Sequence, residues 1–145
     1  MSEKQGGTLQ IANHFTIREL TTTDYADLLA DNIYYALDHF NELVRLAQFC
    51  ERVRSIIGVP MNITSGVRFP KLNKKVGGVE TSDHVKLLAV DFVPSKIKLK
   101  TAFDKIRNSK LDYKQLILEK NTWIHISIGE KHEALIYDGK KYKKV

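Results

Sequence analysis

Two histidines and one aspartate lie in or beside apolar stretches of the sequence. His84 and Asp91 lie seven positions apart in TSDHVKLLAVDF, and His125 lies in WIHISI. An aspartate within an apolar strand destabilises the fold unless a positive or hydrogen-bonding group meets it. Two neutral imidazoles and one carboxylate are ligands that zinc accepts, and three protein ligands leave a fourth position open, as in catalytic zinc sites. The alternative from these residues alone is that the histidines are hydrogen-bonded structural residues.

Apolar periodicity predicts the elements that must position these side chains. Apolar residues recur every three or four positions from Ile33 to Ile57, which predicts one long amphipathic helix that ends at Gly58 and Pro60. Helical spacing returns in LKTAFDKIRNSK, and a turn or two of helix is predicted in PKLNKKVGG. Strands are predicted in PMNITSG, LLAVDFV, YKQLILE, WIHISI and EALIYDGKKY, the last bending at Asp138 and Gly139.

The order of these elements predicts the fold class. Helices come mainly first and strands mainly last, which is typical of an α+β domain with an antiparallel sheet packed against the long N-terminal helix. Alternate side chains of a strand share a face, so His125 shares its face with Trp123 and Ser127, while the isoleucines at 124, 126 and 128 face the core. We expect residues 1–12 to form a flexible tail and 13–145 to form a single domain.

Composition excludes several classes of protein. The single cysteine, Cys50, excludes a disulfide framework and a cysteine-based zinc finger. We expect neither a membrane span nor a signal peptide, because no apolar run is long enough and no basic segment precedes one. The chain is therefore expected to be made in the cytoplasm. We also expect it to be monomeric.

A net charge of +6 suits any polyanion, whether a nucleic acid or an anionic bacterial cell wall, but the lysines adjoin no recognisable nucleic-acid module.

The stretch SGVRFPKLNKKVGGVETSDHVKLLAVDF, followed by WIHIS, resembles the zinc D-alanyl-D-alanine carboxypeptidases and the related phage cell-wall endopeptidases. These M15-like peptidases share their fold with the hedgehog signalling domain. The matching positions are Ser65, Gly66, Arg68, Gly77, Gly78, Ser82, His84, Ala89, Asp91, Phe92, Trp123 and His125. The segment HFTIREL, at residues 14–20, also resembles the segment that opens many members. The resemblance extends in the same order from His14 to Ser127.

The resemblance implies a zinc site and a catalytic base. His84, Asp91 and His125 would bind Zn²⁺, and Arg68 would meet a carboxylate or carbonyl of a peptide substrate. An acidic residue before the final histidine would act as general base, and we assign this role to Glu119. The alternative is that Glu119 is a solvated strand end.

The sequence departs from the family pattern at two informative positions. Related sequences often have the acid three positions before the last histidine, where this chain has Thr122, and glycine where it has Leu87. We therefore expect the loop between the first two ligands to differ in shape.

Other polar and aromatic residues have weaker assignments. Ser82 either binds substrate or shapes its loop, and Trp123 either lines the site or belongs to the core. We expect His14 and His132 to lie on the surface.

The leading hypothesis is a zinc peptidase that cleaves an amide bond next to a D-amino acid in the stem peptides of peptidoglycan. It would be a carboxypeptidase or an endolysin-type endopeptidase that acts at the bacterial cell wall after phage-type release. The alternative hypotheses are a non-catalytic cell-wall-binding or phage structural module with the same fold, and a nucleic-acid-binding protein.

Overall fold

The computed structural model describes residues 9–145, which form a mixed α+β fold. Its strands are β1 (Gln10–Ala12), β2 (Phe15–Thr16), β3 (Met61–Ser65), β4 (Ala89–Pro94), β5 (Gln115–Glu119), β6 (Trp123–Ser127), β7 (Glu133–Tyr137) and β8 (Tyr142–Lys144). Its helices are α1 (Ile17–Leu20), α2 (Leu29–Asp38), α3 (Phe40–Ile57), α4 (Pro70–Lys75) and α5 (Leu99–Arg107), and a 3₁₀ turn spans Ala26–Leu28. Among these helices, none has the length and apolar composition needed to cross a bilayer.

Six strands form one sheet in the order β3-β4-β6-β5-β7-β8. Neighbouring strands are antiparallel except β5 and β7, which are parallel, so the prediction of a purely antiparallel sheet is wrong at this pair. The reason lies in the connections. A tight hairpin places β6 beside β5, and residues 128–132 then carry the chain past β5 to its free edge. Strand β7 therefore runs opposite to β6 and in the same direction as β5.

The predicted long helix is two helices that meet at His39. His39 has non-helical backbone angles, and its ring nitrogen Nδ1 lies 2.8 Å from the carbonyl oxygen of Tyr35. The break turns Leu37 and Phe40 outward, where 40% and 45% of their surfaces are exposed, although the apolar periodicity placed both in the core. Helix α3 ends at Gly58, as predicted, in the left-handed conformation that glycine adopts without strain.

The core lies between the helices and one face of the sheet. Strands β4, β5 and β6 contribute alternate apolar side chains to it: Val90, Phe92, Leu116, Leu118, Ile124 and Ile126. They pack with buried residues of α3 and α5 such as Leu46, Phe49 and Phe103. The opposite face of the same strands carries Asp91 and His125, so one set of strands provides the core and the polar cluster.

The N-terminal segment joins this fold ahead of the predicted domain boundary. Gln10–Ala12, within the predicted tail, form a strand that pairs with β2, while residues 1–8 lie outside the described residues. Thr16 and Glu19 form a capping box at α1, in which each side chain accepts a hydrogen bond from the other residue's backbone N–H.

A buried asparagine on α2 fixes the segment that carries Arg68. Asn32 donates from Nδ2 to the carbonyl oxygens of Thr21 and Val67, and its Oδ1 accepts from the backbone N–H of Phe69, all within 2.9 Å. Asn32 is fully buried. The Asn32 side chain therefore provides hydrogen-bond partners for three backbone groups that have none in a strand or helix. It also holds residues 67–69 against α2.

We predict that Asn32→Ala lowers the free energy of unfolding by about 3 kcal/mol, because buried backbone groups lose their partners. Urea denaturation would measure the change. The matched control is Asn62→Ala, since the exposed side chain of Asn62 bonds only the Ser95 hydroxyl. It should lower the free energy of unfolding by less than about 0.5 kcal/mol. Equal, small losses in the two variants would contradict this role of Asn32.

Candidate metal centre

The register of β4 and β6 brings two of the predicted ligands together. Asp91 and His125 are direct cross-strand partners, and directly opposed side chains lie on the same face of a sheet. Asp91 Oδ1 lies 2.8 Å from His125 Nδ1 and 3.4 Å from His84 Nε2. One ligand atom from each of the three residues lies within 4.8 Å of the other two, in the only such cluster found among residues 9–145.

The loop before β4 presents His84 to this pair in a defined orientation. His84 is buried, and its Nδ1 lies 2.8 Å from the carbonyl oxygen of Gly66, to which it donates a hydrogen bond. That bond places a proton on Nδ1 and leaves Nε2 facing Asp91, so Nε2 is the ring nitrogen available to a metal. Gly66 is suited to its position because a Cβ there would collide with the backbone carbonyl of Leu20.

The donor set fits a divalent metal ion. Two ligand atoms bound tetrahedrally to one zinc ion at about 2.1 Å lie roughly 3.4 Å apart, which matches the His84 to Asp91 distance. At His125 the 2.8 Å separation is that of a hydrogen bond, and metal binding would replace its proton because a coordinating nitrogen cannot carry one. Without a metal, the same residues would form a hydrogen-bonded His–Asp–His cluster.

The cluster is arranged to keep Asp91 ionised. Burial alone would raise the pKa of Asp91, but hydrogen bonds from His125 and His84 and the charges of these rings outweigh it and hold the pKa below its usual range. Arg68 adds a further cation, with Nη2 3.7 Å from Asp91 Oδ2. An ionised carboxylate is the form that binds a metal.

Arg68 is held beside Asp91 from two other directions. Its Nε donates to Ser65 Oγ at 3.0 Å, and its Nη1 donates to Asn73 Oδ1 at 3.2 Å. A Cβ at Gly78 would collide with the Asn73 amide, so glycine there leaves room for this contact. Burial lowers the pKa of Arg68 and the Asp91 charge opposes that shift, so the guanidinium remains a cation that orients Asp91 through its second oxygen.

Glu119 lies on the same face of the sheet as the cluster. Glu119 pairs with Trp123, and the next residues on that face, Ile117 and His125, pair with each other. Three residues connect Glu119 to its partner Trp123. The first two, Lys120 and Asn121, have positive φ values of 53° and 51°, as in a type I′ turn, and the backbone N–H of Thr122 donates to the carbonyl oxygen of Glu119. This turn places Glu119 diagonally across the strand pair from His125, whose direct partner is Ile117.

The environment of Glu119 favours its protonated form more than water does. Burial raises the pKa of the half-buried carboxyl, His125 and Lys120 oppose the shift, and the charge of Asp91 adds to it. Thr122, where related sequences often carry the acid, is exposed in the hairpin and donates to the carbonyl oxygen of Lys120.

The loop around His84 is held by several contacts. Ser82 Oγ accepts a hydrogen bond from the backbone N–H of His84. Lys114 Nζ lies 2.8 Å from Asp83 Oδ2, and Tyr35 Oη donates to the carbonyl oxygen of Val85 at 2.6 Å.

Leu87 adopts the left-handed conformation (φ 56°) that favours glycine, yet its side chain is buried in the core.

The other candidate residues lie outside the cluster. Trp123 is partly buried and lies on the same face of the sheet as His125, two residues before it on β6. His14 and His132 are about half exposed, as expected, and they pair with Glu51 and Asp112.

The sequence did not predict the roles of Asn32 and Asn73, since an isolated asparagine gives no signal that it is buried.

Comparison with known proteins identifies the family of the chain. A family model described as Peptidase M15 matches residues 13–127, which is well over half of the chain. A search of curated proteins finds no match. The matched range contains the whole His–Asp–His cluster, Arg68 and Glu119.

We predict that the cluster binds one divalent metal ion per chain. Replacing His84, Asp91 or His125 by alanine should weaken Zn²⁺ binding by at least about 100-fold, more than the loss typical of changes to residues that only support ligands. Calorimetric titration of the metal-free protein with Zn²⁺ would measure this. His132→Ala is the control. It should leave the Zn²⁺ affinity unchanged, because His132 pairs with Asp112, which lies outside the cluster. Unchanged affinity in the triple alanine variant would contradict the assignment.

Proposed function

We propose that the chain hydrolyses peptidoglycan stem peptides. It belongs to the Peptidase M15 family, and it carries a cluster of His84, Asp91 and His125 at its sheet. Family membership implies a metallopeptidase. The proposed bond is an amide next to a D-amino acid, and the proposed metal is Zn²⁺ held by His84 Nε2, Asp91 Oδ1 and His125 Nδ1.

One observation carries this proposal. Three residues from a loop and two strands converge with their metal-binding atoms within 4.8 Å, inside the range matched by the family model. A buried carboxylate with two imidazoles and an arginine around it is costly to assemble for stability alone. Such an arrangement is typical of a functional site.

The proposed chemistry divides the work between the metal and the chain. When bound, zinc supplies a Lewis acid and lowers the pKa of water. Glu119 takes a proton from the attacking water as its oxygen bonds to the carbonyl carbon. The same proton then passes to the amide nitrogen as the C–N bond breaks, which releases an amine and a carboxylic acid, and the acid then gives its proton to the amine. The raised pKa of Glu119 suits a group that must both accept and return a proton.

Arg68, Ser82 and Trp123 complete the proposed site. Arg68 holds Asp91 and can offer a remaining N–H to a substrate carboxylate or carbonyl. Ser82 supports His84, and Trp123 lines the approach to Glu119. The proposed place of action is the bacterial cell wall, whose anionic polymers attract a chain with a net charge of +6.

A second candidate is a cell-wall-binding module of the same fold without catalysis. The observation that favours it is Thr122, since the acid often found at that position in related sequences is replaced by an exposed hydroxyl. In that case, zinc and peptidoglycan would bind but no peptide would be released.

The test is mass spectrometry of peptidoglycan fragments incubated with the protein, with added Zn²⁺ or with a chelator. We expect zinc-dependent products whose masses identify the bond. The second candidate would be favoured if fragments from several wall types bind the zinc-loaded protein and stay intact.

We predict that Glu119→Gln slows release of these products by about 10² to 10⁴-fold, the usual contribution of a general base. Zinc affinity should remain close to that of the unchanged protein, because Glu119 is outside the cluster. Glu130→Gln is the matched control, since Glu130 is exposed in the loop after β6. Full activity in Glu119→Gln would assign the base to another group.

A further inference from the structure

A row of aromatic side chains crosses the sheet at Glu119. The register pairs Glu119 with Trp123 on β6 and with Tyr137 on β7, and it pairs Tyr137 with Tyr142 on β8. Directly paired residues point to the same side of a sheet. Trp123, Tyr137 and Tyr142, which we term the aromatic row, therefore lie on the face that holds the metal cluster.

A second, apolar row runs parallel to the first and begins at the metal cluster. The register pairs His125 with Ile117 and Ile117 with Leu135. Ile117 and Leu135 are only 5% and 7% exposed, so they form a closed apolar floor beside the aromatic row. Strands in a sheet are about 4.8 Å apart, so the path from β6 to β8 covers roughly 14 Å.

The aromatic row ends at Tyr142, whose side chain is held by stacking and is exposed to solvent. Tyr137 and Tyr142 stack with centroids 4.4 Å apart and planes inclined by 27°, and Tyr142 is 56% exposed. The turn between them is held by Asp138, whose Oδ1 accepts hydrogen bonds from the backbone N–H groups of Lys140 and Lys141. This turn returns β8 against β7 and leaves much of Tyr142 accessible to a ligand.

We propose that the aromatic row is a saccharide subsite that binds the glycan of peptidoglycan while the stem peptide lies at the metal cluster. The inference rests on the proposed function. The C–H bonds on the face of a sugar ring are electropositive and match the negative face of an aromatic ring, while the tyrosine hydroxyls can bond sugar hydroxyls.

The dimensions of the two rows suit this substrate. An extended peptide spans about 3.4 Å per residue, so a few residues cover the roughly 14 Å between β6 and β8. A substrate with its cleaved bond at the metal cluster can therefore place a sugar ring on Tyr142. A rigid ring gives binding area at little entropic cost, which suits a subsite that must hold a polymer.

The test uses the zinc-loaded full chain and the amino-sugar disaccharide of peptidoglycan, which has no amide bond between residues to cleave. Trp123 is the only tryptophan in the chain, so its fluorescence reports binding at this face, and calorimetry gives the affinity. We expect saturable binding, a loss of about tenfold in Tyr142→Ala, and near-normal affinity in Tyr142→Phe, which keeps the stacked ring.

The control is Tyr34→Ala, since Tyr34 is a tyrosine of α2 that is 66% exposed and lies outside the sheet. It should bind the disaccharide as the unchanged chain does. Thermal unfolding of each variant separates lost binding from a lost fold, and Tyr142→Phe provides the comparison if Tyr142→Ala unfolds.

The outcomes separate this inference from the proposed function. Peptide cleavage by a chain that does not bind the disaccharide would overturn the subsite and leave the peptidase standing. Disaccharide binding that depends on Tyr142, without cleavage of any stem peptide, would support the subsite and remove the peptidase. Equal affinity in Tyr142→Ala and the unchanged chain would overturn the subsite and leave the tyrosine pair as packing for β8.

Discussion

The buried carboxylate of Asp91 is the constraint on which the site depends. Asp91 lies in the interior of the sheet with 8% of its surface exposed, where an uncompensated charge would destabilise the fold severely. Two imidazoles and a guanidinium surround it, and each comes from a different part of the chain. The strand pairing and the loop before β4 are therefore needed both for folding and for the chemistry proposed here.

Each partner of Asp91 is fixed by contacts that have no direct part in the chemistry. The carbonyl oxygen of Gly66 sets the proton position on His84, and Asn73 and Ser65 hold the guanidinium of Arg68. Asn32 fastens the segment before Arg68 to α2. Such supporting contacts limit the motion of the ligands and so reduce the entropy lost when a metal or substrate binds.

The site residues and most of the secondary structure can be predicted from local sequence patterns. Asp91 and His125 stand out as polar residues within apolar strands, and alternation places both on the face opposite to the core. His84 stands out by its position in the loop that leads into the first of these strands. Local pattern carried no information on the helix break at His39 or on the parallel pairing of β5 with β7, which depend on packing between distant segments. The same holds for the aromatic row, because its register becomes visible only once four strands are paired.

The most direct test of the zinc centre is a crystal structure of the zinc-loaded protein with anomalous data collected at the zinc absorption edge. We predict one strong peak about 2.0 to 2.2 Å from His84 Nε2, Asp91 Oδ1 and His125 Nδ1, with a fourth position not taken by the protein. A peak at His14 and Glu51 or at His132 and Asp112, with the three central residues still hydrogen-bonded to each other, would contradict the account.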